Sequence, residues 1–214
     1  MRILADVTPR VFLLSPASCT GLRAQLLLRD RARFDLALRL REGTVSLGEA
    51  FAFLSGLYFR GKLAYATRFA RPPADVSGTL VITPTRGLVP AEAPVGLEDL
   101  REFARVDIDP SNPLYRGPLE RDARRLRRRA GEAAEVVLLG SVATGKYVDL
   151  LAGVFGARLL FPPDFVGRGD MSRGGLLLRG AREGRELPYV PLSGAVRHGP
   201  RPPRLPHRAR GLGD

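Results

Sequence analysis

The sequence predicts an α/β protein, a three-layer α/β/α sandwich around a mainly parallel central sheet. Short runs with apolar centres recur at 10–14, 79–83, 136–139 and 157–161, and they read as strands buried on both faces. Stretches with helical spacing separate these runs, the alternation expected of a parallel sheet with crossover helices. Each run also ends at a turn-forming residue, Ser15-Pro16, Pro84, Gly140 or Pro162. In open parallel sheets ligands gather beyond such carboxyl ends.

Taken in order, residues 10–14 form the first strand. Between 22 and 40, Leu22, Leu26, Leu27, Phe34, Leu36, Leu38 and Leu40 recur at helical spacing among arginines. Ser46 with Glu49 three residues later has the capping-box pattern of a helix start. That helix is expected to reach residue 69, with Phe51, Leu54, Leu57, Tyr58 and Leu63 available for the core and Gly56 and Gly61 as points where it breaks or bends. Arg71-Pro72-Pro73 stops it. After the strand at 79–83, the proline-rich and acidic stretch 90–118 reads as an irregular excursion with one short helix at 97–103. Pro118 suits the first turn of a helix ending at Ala130. A strand at 136–139, a helix at 147–155 and a strand at 157–161 follow, and the glycine-rich stretch 163–175 reads as a loop. Beyond His198 there is proline and arginine without periodicity. The expected organisation is one α/β domain, 1–191, and a basic tail, 192–214, extended or disordered.

Composition narrows the class. The 214 residues carry 34 Lys and Arg against 22 Asp and Glu, a formal net charge of +12. Only Lys62 and Lys146 are lysines. Codon bias explains arginine in place of lysine but not the cationic surplus, which attracts polyanions, nucleic acid first among them. The single cysteine, Cys19, excludes an internal disulfide and argues against a cysteine-based zinc site. A lone cysteine is most often a buried apolar residue. No apolar run is long enough to span a bilayer, and Asp6 and Pro9 precede too short an apolar stretch for a signal peptide. A cytoplasmic protein with no membrane partner, no cofactor and no metal is expected.

The densest chemistry lies at 135–147, EVVLLGSVATGKY. A strand, a glycine turn and a helix start in succession present unpaired N–H groups at the positive end of a helix dipole. The spacing matches the phosphate loop G-x-x-x-x-G-K-[ST] up to its last position, where Tyr147 replaces the metal-binding hydroxyl. A magnesium-dependent nucleotide hydrolase is therefore disfavoured. Gly140, Ser141, Thr144, Gly145, Lys146 and Tyr147 are candidates for holding a phosphate or a base edge, the alternative being an ordinary turn.

Other candidates come from the remaining strand ends. In 163–175, Arg168 and Arg173 offer planar forks suited to phosphate, and Asp170 suits a base or water-positioning role, with His198 a second catalytic candidate. The alternative there is a solvated loop with local Asp–Arg pairs. Ser15 heads a hydroxyl- and thiol-bearing loop that would line the same cleft. On the basic helix 121–129, Arg124, Arg125 and Arg128, joined by Arg201 and Arg204 of the tail, are candidates for contact with nucleic acid, although such runs are commonly solvated faces. There is no Trp, which argues against a broad single-strand stacking platform.

The order of four pieces resembles a known family: 57–66 (LYFRGKLAYA), 83–90 (TPTRGLVP), 136–140 (VVLLG) and 167–173 (GRGDMSR). It is similar to the uncharacterised α/β domains related to the middle domain of archaeosine synthases, whose fold resembles uracil-DNA glycosylases, and more distantly to the YaaA peroxide-stress family. Arg86-Gly87-Leu88 stands where that family often has Tyr-Gly-Leu, and Tyr147 answers its tyrosine after the fourth strand. The resemblance, spanning 11–179, implies one three-layer domain dealing with nucleic acid, a nucleobase or a nucleoside derivative. Together these features lead us to expect a nucleic-acid- or nucleotide-binding protein whose chemistry, where present, acts on a nucleobase or modified nucleoside. The alternatives are an enzyme on a small phosphorylated or nucleoside substrate with no polymer partner, and a non-catalytic stress-linked binding protein.

Overall fold

In the computed structural model, residues 8–203 are described. Arg204 and the last part of the expected tail lie outside them. The chain runs β1 (Arg10–Leu14), α1 (Leu22–Leu27), α2 (Asp35–Arg41), β2 (Val45–Ser46), α3 (Leu47–Ser55), α4 (Leu57–Phe69), β3 (Thr79–Thr83), β4 (Gly87–Pro90) and β5 (Pro94–Val95). It continues with α5 (Leu97–Ala104), α6 (Pro113–Ala130), β6 (Glu135–Leu139), α7 (Gly145–Phe155), β7 (Leu159–Phe161), α8 (Asp170–Glu183) and β8 (Val190–Pro191). Six strands form one mostly parallel sheet in the order β4-β3-β1-β6-β7-β8, and β2 pairs with β5 separately. β3, β1, β6 and β7 are parallel; β4 and β8 add antiparallel edges. Among the described residues no helix is long and apolar enough to cross a membrane.

β1 lies at the centre, with Phe12 in register with Thr79 on one side and Val137 on the other. Its alternate residues feed two hydrophobic clusters. Phe12 and Leu14 pack with Phe51, Phe59, Tyr65 and Leu177. Val11 and Leu13 pack with Leu119, Leu126, Leu151 and Val154. Both sets are buried, which is why the strand is apolar throughout instead of alternating. Each such side chain contributes about 1.5–3 kcal/mol by leaving water.

Several expected elements change in detail. The long helix opened by Ser46, whose side chain accepts from the Glu49 N–H at 3.2 Å, breaks at Gly56. Gly56 takes a φ of 65°, a left-handed conformation that ends α3 and turns the chain into α4. The periodic stretch 22–40 is two short helices whose linker is clasped by Arg41, which donates to the carbonyls of Arg29, Asp30 and Ala32. The basic helix starts earlier than expected, because Asn112 caps it through the Leu114 N–H at 3.0 Å and Pro113 fills its first turn; Pro118 lies inside. The strand expected at 157–161 is shortened to β7 by a 3-10 turn at Gly156–Arg158. The hairpin of β3 with β4 was not expected; Thr83 Oγ1 ties it by accepting from the Arg86 N–H and donating to the Gly87 carbonyl.

The largest correction concerns 163–175. It is a loop only as far as Gly169, after a 3-10 turn at Pro163–Phe165, and from Asp170 it is the first part of α8. Its glycines make close helix packing possible. A Cβ on Gly174 would lie 2.8 Å from the Leu57 carbonyl oxygen and from Tyr58 Cα, and one on Gly61 would lie 2.6 Å from the Gly174 carbonyl oxygen. α4 and α8 therefore cross with their backbones nearly touching.

Candidate anion-binding site

From β1 the chain crosses over to β3 on one side, and after the β3–β4 hairpin it returns on the other side as β6. The carboxyl ends of β1 and β6 thus flank a topological switch point, the place where open α/β sheets leave a crevice. Ser15 follows β1 and Gly140 follows β6, joined by the Ser15 N–H donating to the Leu139 carbonyl at 3.1 Å. A Cβ on Gly140 would sit 2.8 Å from Tyr147 Oη and 3.1 Å from Ser15 Oγ, so only glycine lets the three meet. Tyr147, on the first turn of α7, donates to the Ser141 carbonyl at 3.0 Å.

α4 and α8 close the crevice. Tyr58 and Lys62, four residues apart, share a face of α4, and Asp170 and Arg173 share one on α8. Lys62 Nζ donates to Ser15 O at 2.5 Å and to Ser15 Oγ at 2.8 Å. It also stands 4.6 Å from the centre of the Tyr58 ring and 4.7 Å from that of Phe59. Arg173 Nε donates to the Phe165 carbonyl at 3.1 Å, while its Nη1 lies 3.5 Å from Asp170 Oδ1. Lys62 is 1% exposed and Ser15, Tyr58, Tyr147 and Arg173 are 5–7% exposed, so Lys62 is the most deeply buried of the five.

Burial dominates the electrostatics. It lowers the Lys62 pKa to about 7, with the nearby Asp170 carboxylate opposing and the Arg173 charge reinforcing the change. Burial raises the Tyr58 and Tyr147 phenols, against the pull of Arg173. Tyr58 Oη is buried with no hydrogen-bond partner of normal geometry, although the Arg173 guanidinium stands beside it. Tyr115, on α6 near Tyr147, has a hydroxyl in the same condition. Buried polar atoms are ordinarily paired, which sets these two hydroxyls apart from the rest of the core. Cys19 is buried and its thiol is pushed up to about 12, which leaves it protonated and unreactive.

The structure brings together Ser15, Gly140, Tyr147 and Arg173 of the residues singled out by sequence. Asp170 is at the rim with an exposed carboxylate, and Ser141 contributes its carbonyl. Thr144, Gly145 and Lys146 are exposed, and the latter two face a separate groove of about 620 Å³ between α6 and α7, together with Arg116, Glu120, Arg124 and Asp149. Arg168 turns away, donating to the carbonyls of Asp164 and Pro203 and to Ser172 Oγ. His198 and Arg201 are exposed on the stretch after β8, where neighbouring Arg197 holds Asp149 at 2.9 Å. On α6, Arg124 pairs with Glu120 at 2.6 Å and lies beside Arg128, whereas Arg125 faces a different groove with Asp75 and Asp122.

Two members of the cluster are not among the site residues expected from sequence: Lys62, and Tyr58, which is expected in the core. Their signal was present: one of only two lysines sits on an otherwise apolar helix face, four residues after a tyrosine. Among the described residues no group of three or more His, Cys, Asp or Glu is placed to hold a metal ion. Comparison with protein-family models, curated proteins and solved structures gave no match to this chain.

Proposed function

We propose that the chain binds a nucleotide or nucleic acid and holds an anionic group of that ligand beyond the carboxyl ends of β1 and β6. One observation carries the proposal: among the Lys, Arg, Asp and Glu side chains of the described residues, those buried are Lys62 and Arg173, both basic and in one cluster, with no buried Asp or Glu. A buried charge is costly unless paired. The exposed Asp170 carboxylate, 3.5 Å from Arg173, is a weak partner, and a ligand phosphate would be a strong one. Tyr58 and Tyr147 of the cluster would add hydroxyls suited to a nucleoside. The same proposal includes a three-layer α/β/α sandwich, membership of the archaeosine-synthase-related family and a cytoplasmic setting. Polymer contact would run along Arg124, Arg128 and Lys146 outside the crevice.

The second reading, a small phosphorylated or nucleoside ligand with no polymer, is favoured by the burial of the cluster and by Glu120 and Asp149 in the outer groove. Calorimetry with inorganic phosphate, nucleoside monophosphates and labelled DNA and RNA over a salt series separates the two. Polymer binding that weakens steeply with salt supports the first, and nucleotide binding without polymer binding supports the second. Absence of binding by every one of these probes, or nucleotide affinity untouched in a folded Arg173→Met variant, overturns both.

A further inference from the structure

Lys62 has an arrangement that anion binding does not require. Its Nζ contacts are Ser15 O, Ser15 Oγ and the faces of two rings, with no carboxylate touching it. Ser15 Oγ is thus held 2.8 Å from an amine in an apolar setting, at the C-terminal end of the central strand. A hydroxyl nucleophile within hydrogen-bond reach of a base is the basic unit of covalent catalysis, and a desolvated lysine can be that base. We propose that Ser15 is a nucleophile with Lys62 as its general base, and that the substrate is a phosphate ester whose phosphoryl group lies against Arg173 and Tyr58.

The proposal rests on the anion-binding reading of the same crevice and names its chemistry. Neutral Lys62 takes the proton of Ser15 as Oγ bonds to phosphorus and the bond from phosphorus to the alcohol oxygen breaks. The Lys62 ammonium returns that proton to the departing alkoxide. Water, deprotonated by the neutral amine, then attacks phosphorus as the bond from phosphorus to Ser15 Oγ breaks, and the Lys62 ammonium returns its proton to the Ser15 alkoxide, releasing phosphate. The sum is ester plus water giving alcohol plus phosphate, with no electron transfer. Arg173 offsets charge on the phosphoryl oxygens, and Tyr58 Oη donates a hydrogen bond for which it has no acceptor within the protein. Burial brings the Lys62 pKa to about 7, with the Asp170 carboxylate on α8 raising it and the Arg173 guanidinium on α8 lowering it, while the Tyr58 and Phe59 rings of its own helix face the ammonium.

The test is labelling of the full chain with diisopropyl fluorophosphate, read by peptide mass spectrometry. The expected result is an adduct on Ser15 whose rate climbs with pH through neutrality and levels off, and which slows about 100-fold or more in Lys62→Met and Lys62→Arg. An unlabelled Ser15 in the folded protein overturns the proposal, as does a labelling rate that is flat between about pH 5.5 and 9. The pH profile uses the native chain, so a variant that fails to fold does not rescue the idea. Nucleotide binding without labelling overturns the Ser15–Lys62 pair alone. Labelling without nucleotide binding supports the pair and overturns the nucleotide reading.

Discussion

The two lysines of this chain occupy opposite environments. Lys146 stands on the exposed first turn of α7, in a segment that matches a phosphate loop almost to its end. Lys62 is buried on α4 between two aromatic rings, in a segment that matches no phosphate motif. Only the second meets the carboxyl end of the central strand. The same amine is a solvated charge in one place and a desolvated group in the other. The neighbours decide which, and for Lys62 they include Ser15, 47 residues earlier in the chain, and the charges of Asp170 and Arg173 on α8, more than a hundred residues later.

The comparison breaks first at the helix crossing. Gly174→Val would drive side-chain atoms into the backbone of α4, and the expected loss is about 3 kcal/mol of stability in urea unfolding, at the upper end for overpacking. A loss under about 1 kcal/mol would mean that α4 and α8 do not rely on glycine contact.

The next effect is in pH. Lys62 titrates at about 7 when folded against 10.5 ordinarily, so between those values the unfolded chain binds more protons than the native one. Stability therefore rises with pH across that window, by up to about 1.4 kcal/mol per unit, and is flat below it, where both states hold the proton. The difference between native protein and Lys62→Met, followed by denaturation at successive pH values, isolates this rise; parallel curves for the two would remove Lys62 from the account.

Arg173→Met is expected to weaken nucleotide or phosphate binding about 10- to 100-fold, the worth of charge-assisted hydrogen bonds, in calorimetric titration. Smallest is Lys146→Ala. It should change stability by no more than about 0.5 kcal/mol and leave small-anion binding intact. Its measurable trace is a reduction of about one unit in the salt slope of polymer binding. Loss of nucleotide binding in Lys146→Ala would reverse the comparison and restore the 140–147 turn as the principal phosphate site.

Much of the fold was legible because local rules act within a few residues. The apolar centres at 11–14, 80–82 and 136–139 could only be buried strands, and Ser46 with Glu49 marked a helix start that the structure places at that point. The glycine-rich stretch 163–175 was misread as a loop because glycine opposes helix formation locally, and its benefit, room for the backbone of α4, lies outside the window that local rules inspect. The site was half legible for the same reason. Ser15, Gly140 and Tyr147 stand at strand ends, where an open sheet collects ligands, and the strand pattern alone points to them. Tyr58 sits mid-pattern in a helix that looks like ordinary core.

By itself the sequence determined the α/β class, the positions of the parallel strands, the excess of positive charge and the strand ends at Ser15 and Gly140, while the strand order that makes these two a switch point belongs to the fold. The tertiary structure decided which cation is desolvated, which hydroxyl it touches and which arginine closes the crevice. Burial and hydrogen bonding of a charged group depend on the distances to groups brought in from other elements. Those distances are set by the packing of α4 against α8 and of both against the sheet, and no spacing along the chain encodes them.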